Sequence, residues 1–151
     1  MAIPKAEGRG RLLKYEITVP AELEKLKDVN DFIVGKLNGL DCTPRAQTQL
    51  EIAIEEIFVN ISRYAYHPVI GKATVRMDID EEDGLVSLQF EDEGIPYNPL
   101  VRKDPDLTSG VKEREVGGLG IYMTKKSMDD VAYSYKDGKN ILVITKKMKQ
   151  G

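Results

Sequence analysis

The stretch from Thr43 to Pro68 most restricts what this chain can fold into. Threonine followed by proline is a helix start: the hydroxyl caps, and proline fits the first helical position. Leu50, Ile54, Ile57, Phe58, Ile61 and Ala65 then fall on one arc of a helical wheel, and Pro68 stands just beyond the end. The spacing predicts one long helix from about Pro44 to Ala65, with an apolar side that must be covered. The remaining segments supply the cover. Arg11–Val19 alternates Leu13, Tyr15, Ile17 and Val19 as a strand does, and Pro20 is expected to end it. Ala21–Asn38 has helical spacing and is stopped by Gly39. Lys72–Asp80 and Leu85–Glu91 read as a hairpin around Glu81-Glu82-Asp83-Gly84. A short helix follows over Gly118–Met128, then a hairpin of Val131–Tyr135 and Ile141–Lys147 around Asp137-Gly138. Strands outnumber a simple alternation with helices. The expected class is α+β: a two-layer sandwich with a mostly antiparallel sheet and helices on one face.

A length of 151 residues suits one domain with a real core, expected over residues 11–149 after a flexible N-terminus of residues 1–10. A net charge of −3 argues against a general nucleic-acid binder. A single cysteine, Cys42, excludes an internal disulfide. No apolar run reaches the ~18 residues of a membrane span, and Met1–Arg11 lacks the apolar core of a secretory signal. The expectation is a cytoplasmic protein with no membrane contact. Ile95–Val116 holds Pro96, Pro99, Pro105 and Gly110 without periodicity, and a loop of that length is usually functional or disordered.

Three segments carry candidate chemistry. Gly117-Gly118-Leu119-Gly120 runs into a helix, where unpaired backbone N–H groups and the helix dipole favour phosphate; many such turns are turns and nothing more. Glu56 and Asn60 lie four residues apart at the border of the apolar arc. Asparagine is a poor mid-helix residue, so its place needs a reason other than local preference. An oxygen ligand for Mg²⁺ is one, with Glu56 a turn earlier as a proton acceptor; a solvated polar edge is another. Asp92-Glu93-Gly94 puts a carboxylate at a strand end, either to receive an exocyclic amino group or as a plain acidic turn. Ile52 and Val59 sit on the otherwise polar side of the long helix, so the first helix, the loop or a partner is expected to cover them.

In this order and spacing the three segments resemble the GHKL ATPase superfamily, the Bergerat fold. Within it the chain looks most like the anti-sigma-factor serine protein kinases, through Glu55-Glu56-Ile57-Phe58-Val59-Asn60-Ile61-Ser62-Arg63-Tyr64-Ala65-Tyr66, Gly94-Ile95-Pro96-Tyr97-Asn98-Pro99, Gly117-Gly118-Leu119-Gly120-Ile121-Tyr122 and Asp137-Gly138-Lys139-Asn140-Ile141-Leu142. The resemblance implies ATP and Mg²⁺ as cofactors. It implies Asn60 as metal ligand, Glu56 as the base for the attacking hydroxyl, and Asp92 on the adenine amino group. Gly94 would let the base approach the backbone, and Tyr97 belongs to the same nucleotide-binding set. Gly117, Gly118, Leu119 and Gly120 would hold the phosphates under an ATP lid of about residues 100–116. Of the lid cations Arg102, Lys103, Lys112 and Arg114, the last is the candidate γ-phosphate contact. Asn140 stands near where many members carry a threonine beside the adenine.

The implied function is that of a serine protein kinase acting as an anti-sigma factor. It would bind a sigma factor, phosphorylate a STAS-type antagonist and work as a homodimer. Two alternatives stand beside it: a non-catalytic, ATP-gated binding module, and a detached histidine-kinase ATPase domain. The lone histidine, His67, reads as a helix-end residue. Neither a P-loop nor a Gly-x-Gly-x-x-Gly motif occurs.

Overall fold

The computed structural model describes residues 12–66, 70–101 and 118–149, with the backbone alone for 118–120. In chain order the elements are β1 (Leu12–Pro20), a 3₁₀ turn (Leu23–Lys25), α1 (Leu26–Lys36), α2 (Pro44–Tyr64), β2 (Lys72–Asp80), β3 (Leu85–Asp92), a second 3₁₀ turn (Pro99–Val101), α3 (Gly118–Ser127), β4 (Asp130–Lys136) and β5 (Lys139–Lys147). The strands form one sheet in the order β1-β2-β3-β5-β4. Every pairing is antiparallel. This is the expected α+β sandwich.

Alternation selects the buried face. Ala73, Val75, Met77 and Ile79 of β2, Val86, Leu88 and Phe90 of β3, and Leu142 and Ile144 of β5 are buried together against α1 and α2. The α2 arc read from the sequence is the buried one: Leu50, Ile54, Ile57, Phe58, Ile61 and Ala65 all lie in the core. Thr43 caps α2 as its position suggests, its hydroxyl accepting from Ala46 N–H at 3.1 Å. The opposite sheet face is polar. There Arg76 of β2 joins Glu16 of β1 (3.1 Å) and Glu91 of β3.

Two boundaries differ from the sequence reading. β1 runs one residue past Val19: Pro20 is its last residue, paired with Lys72, and Ala21 N–H still bonds Gly71 O at 2.8 Å. Because β1 is an edge strand, proline's missing donor costs no ladder bond there. The chain committed to this pairing cannot enter a helix at Ala21, so α1 begins at Leu26 after a single 3₁₀ turn. Ile52 is 51% exposed, so no described segment of this chain covers it, whereas Val59 is half-buried.

The end of α2 is fastened to the segment after β3. Ile95 N–H donates to Ala65 O at 3.0 Å, which gives a terminal helix carbonyl its partner. That approach requires glycine at position 94: a Cβ there would stand 2.0 Å from Ala65 O and 2.4 Å from its carbonyl carbon. Both sides of this clash are backbone, so Gly94→Ala is expected to destabilise the protein by about 2–3 kcal/mol, read as a lower midpoint in urea at unchanged slope.

α3 is fastened at its other end. Lys146, on the buried face of β5, donates from Nζ to Ser127 O at 2.6 Å, at the C-terminus of α3. Just beyond the helix, Asp129 N–H bonds Thr145 O and the Asp129 carboxylate accepts from Lys147 N–H.

Candidate functional site

The period of two continues past the apolar residues of the sheet. Asp92 follows Phe90 on β3, and Asn140 precedes Leu142 on β5; both therefore point to the core face, and the register sets them opposite each other. Each is more than nine-tenths buried. They line one partly open pocket. Ile57, Asn60, Ile61 and Ala65 line it from α2, Phe90 from β3, Ile121 from α3, and Tyr133 and Leu142 from the last hairpin. Ile95, Tyr97 and Pro99 form the remaining side. The walls are mostly apolar, and the polar groups are few.

Those polar groups are organised around Asn140. Its Nδ2 donates to Asp92 Oδ1 at 2.9 Å and to Ile95 O at 2.8 Å. Its Oδ1 accepts from Tyr97 N–H at 3.0 Å and from the Tyr133 hydroxyl. Two donors and two acceptor positions are all a carboxamide has. Asn140 is therefore spent on the protein itself. Asp92 Oδ1 also accepts from Gly94 N–H at 2.9 Å, while Oδ2 makes no hydrogen bond to any described residue. Burial pushes the Asp92 carboxyl above the usual aspartate range, against the opposing pull of the bonds from Asn140 and Gly94.

Asn60 enters the same cavity from α2. It is only 6% exposed, and its Nδ2 has no hydrogen-bond partner among the described residues. A buried amide donor left so costs about 1–3 kcal/mol unless a ligand completes it. Glu56 is half-buried and not in the cavity wall; it lies one helical turn, about 6 Å, further from the Asp92 end along the axis of α2. Among the described residues no three His, Cys, Asp or Glu side chains converge as a ligand set. A cation here would rest on Asn60, phosphate oxygens and water, which is how Mg²⁺ commonly sits with nucleotides.

Of the residues singled out in the sequence, Asn60, Asp92 and Tyr97 are brought together around one cavity. Gly94 adjoins it and is held against the end of α2 by packing, which is a reason for glycine that the motif alone does not reveal. Gly118, Leu119 and Gly120 form the first turn of α3, and Ile121, next in line, reaches the cavity. Gly117, Arg114, His67 and residues 102–116 of the proposed lid lie outside the described residues. Tyr133 is not foreseen from the sequence. Its signal is the register: it stands opposite Leu142, beside Asn140.

Residues 19–146 match the family model described as the histidine kinase-like ATPase domain. The chain belongs to this family. The histidine kinase-like ATPase domain found here is 29% identical over 101 residues to a serine/threonine-protein kinase, BtrW, of Bordetella bronchiseptica, covering 67% of this chain and 70% of that one. It is 24% identical over 135 residues to the serine-protein kinase RsbW of Listeria monocytogenes, covering 86% and 85% of the two chains. A crystal structure of the RsbU and RsbW domains of Rv1364c from Mycobacterium tuberculosis shares the fold, with a TM-score of 0.65 at 14% identity. That match takes in 92% of this chain and 33% of the other. The resemblance read from the motifs is thus borne out at the level of family and fold. Among the described residues no helix is long and apolar enough to cross a membrane.

Proposed function

We propose that this histidine kinase-like ATPase domain is a Mg-ATP-dependent serine protein kinase that acts as an anti-sigma factor and phosphorylates a STAS-type antagonist. The observation that carries the reading is the meeting of Asn60, Asp92 and the first turns of α3 on one half-enclosed apolar cavity. The two curated relatives named as kinases support it. In this reading the adenine ring lies between the apolar walls and donates its amino group to Asp92. The polyphosphate runs toward the N-terminus of α3, where Gly117, Gly118, Leu119 and Gly120 offer backbone N–H groups and Arg114 a further cation. Asn60 holds the metal through its oxygen, and its amide N–H donates to a phosphate oxygen. Mg²⁺, when bound, supplies charge neutralisation on the phosphates. Glu56 orients the serine hydroxyl and takes up its proton as the new bond to the γ-phosphorus forms and the bond to the ADP leaving group breaks. Sigma factor, antagonist and a second copy of the chain are the proposed partners, in the cytoplasm.

The test is transfer from γ-labelled ATP to a STAS protein in the presence of Mg²⁺. Acid-stable label on a serine is expected, whereas acid-labile label would favour the histidine-kinase reading. Binding of ATP with no transfer to any candidate would favour the gated binding module. In the same preparation Asn60→Ala is expected to weaken Mg-dependent ATP binding by about tenfold or more in titration calorimetry, since it removes bonds to charged groups. Unchanged titration would overturn the metal assignment.

A further inference from the structure

Position 140 does something that neither the motifs nor the family match assigns to it. An asparagine that spends every hydrogen bond on its own protein has none for a nucleotide. Its partners, however, all bear on the cavity: the Asp92 carboxylate, the Ile95 carbonyl, the Tyr97 backbone and the Tyr133 hydroxyl. We infer that Asn140 is a positioning residue that sets base selectivity, by holding Asp92 Oδ1 so that only Oδ2 is presented to the ligand as an acceptor. The inference rests on the nucleotide-binding reading above.

The argument follows from which atoms are occupied. A carboxylate has two oxygens and can rotate between them. Here Oδ1 receives the Asn140 amide and Gly94 N–H at 2.9 Å each, which fixes the rotation and keeps that oxygen out of the cavity. The other oxygen then meets the ligand without a competing protein donor among the described residues. Such a group welcomes an exocyclic amine and repels an oxo group at the same place. Asn140 also ties β5 to the chain that follows Gly94, through Ile95 O and Tyr97 N–H, so the wall opposite α2 is held by the same side chain. Burial favours protonation of Asp92, and the donor from Asn140 opposes it. Losing Asn140 would therefore cost the site the fixed orientation of Asp92 and a donor that favours its ionised form.

The experiment compares ATP with inosine triphosphate, which carries an oxo group where ATP carries its 6-amino group. Affinities are read by titration on the full chain. The wild type is expected to prefer ATP by about tenfold or more, the scale of a bond to a charged acceptor. Asn140→Leu is expected to bring that ratio to within about threefold of unity, chiefly by weakening ATP. Circular dichroism on the same sample reports folding. Should the leucine variant not fold, Asn140→Ala carries the test with the same expected ratio. It removes the amide donor to Asp92 without adding a second carboxyl beside it. A folded variant that keeps the wild-type ratio, or loses ATP and inosine triphosphate equally, would overturn the inference by making Asn140 a structural residue only. A wild type that binds neither nucleotide would instead overturn the nucleotide-binding reading.

Discussion

Glu56→Gln is expected to slow phosphate transfer to a serine hydroxyl by about 10²–10⁴-fold, while ATP affinity stays within about threefold of wild type. The substitution preserves size and hydrogen-bonding shape and removes only the capacity to take a proton. Glu56 does not line the cavity that would hold the base, so binding has little reason to change. It lies one turn beyond Asn60 on a helix anchored at both ends, by the Thr43 cap and by the bond from Ile95 to Ala65 O. Its carboxylate is therefore presented by a rigid element, next to the place where the phosphate chain would end. A general base is worth that factor because the hydroxyl must lose its proton as it attacks. Single-turnover transfer measured beside calorimetry separates the two quantities. Transfer at the wild-type rate would remove Glu56 from the reaction, and a parallel loss of affinity would make it a binding residue.

Asp92→Asn should have the second large effect, with opposite signs on two properties. ATP affinity is expected to fall by about 10–100-fold, because the acceptor proposed to face the adenine amine becomes a donor. Thermal stability without nucleotide is expected to rise. The sign follows from the shift: burial raises the folded-state pKa of Asp92 above its unfolded value. Its favourable contribution is present below the unfolded pKa and is lost as pH rises through the folded one, so at neutral pH the ionised carboxylate weakens the fold. Asparagine keeps an acceptor for Gly94 N–H and Asn140 and removes the buried charge. The same shift predicts that wild-type ATP affinity declines as the pH falls into the raised range of Asp92, and that the Asn variant loses this dependence. Melting curves and titrations across the acid range check both. A variant that is both less stable and unchanged in affinity would contradict the role given to this carboxylate.

Much of this was legible in the residue order because it rests on periodicity. The α2 arc, the strand alternation and the Asp137-Gly138 turn, where both residues adopt positive φ, follow from local rules that packing did not override. The start of α1 was not legible: whether Ala21 joins a helix or a sheet depends on Gly71, fifty residues away in sequence. In the site, Asn60 could be found because asparagine is a poor mid-helix residue, and Asp92 because it is a carboxylate at a strand end just before a glycine. The work of Asn140 could not. Its bonds reach β3, β4 and the segment from Gly94 onward, and no spacing within β5 encodes them. The packing reason for Gly94 is of the same kind, since the obstacle is a helix carbonyl far away in the chain.

Lys146 gives α3 an uneven attachment. With its ammonium against Ser127 O and the Asp129 backbone tied to Thr145, the tail of the helix is bolted to the sheet, and the positive charge suits the negative pole there. The glycine-bearing tip lies nine residues from that bolt, at the far end of a stiff rod. Any rotation of α3 would then pivot about that fixed heel, and the backbone amides of the tip would travel furthest.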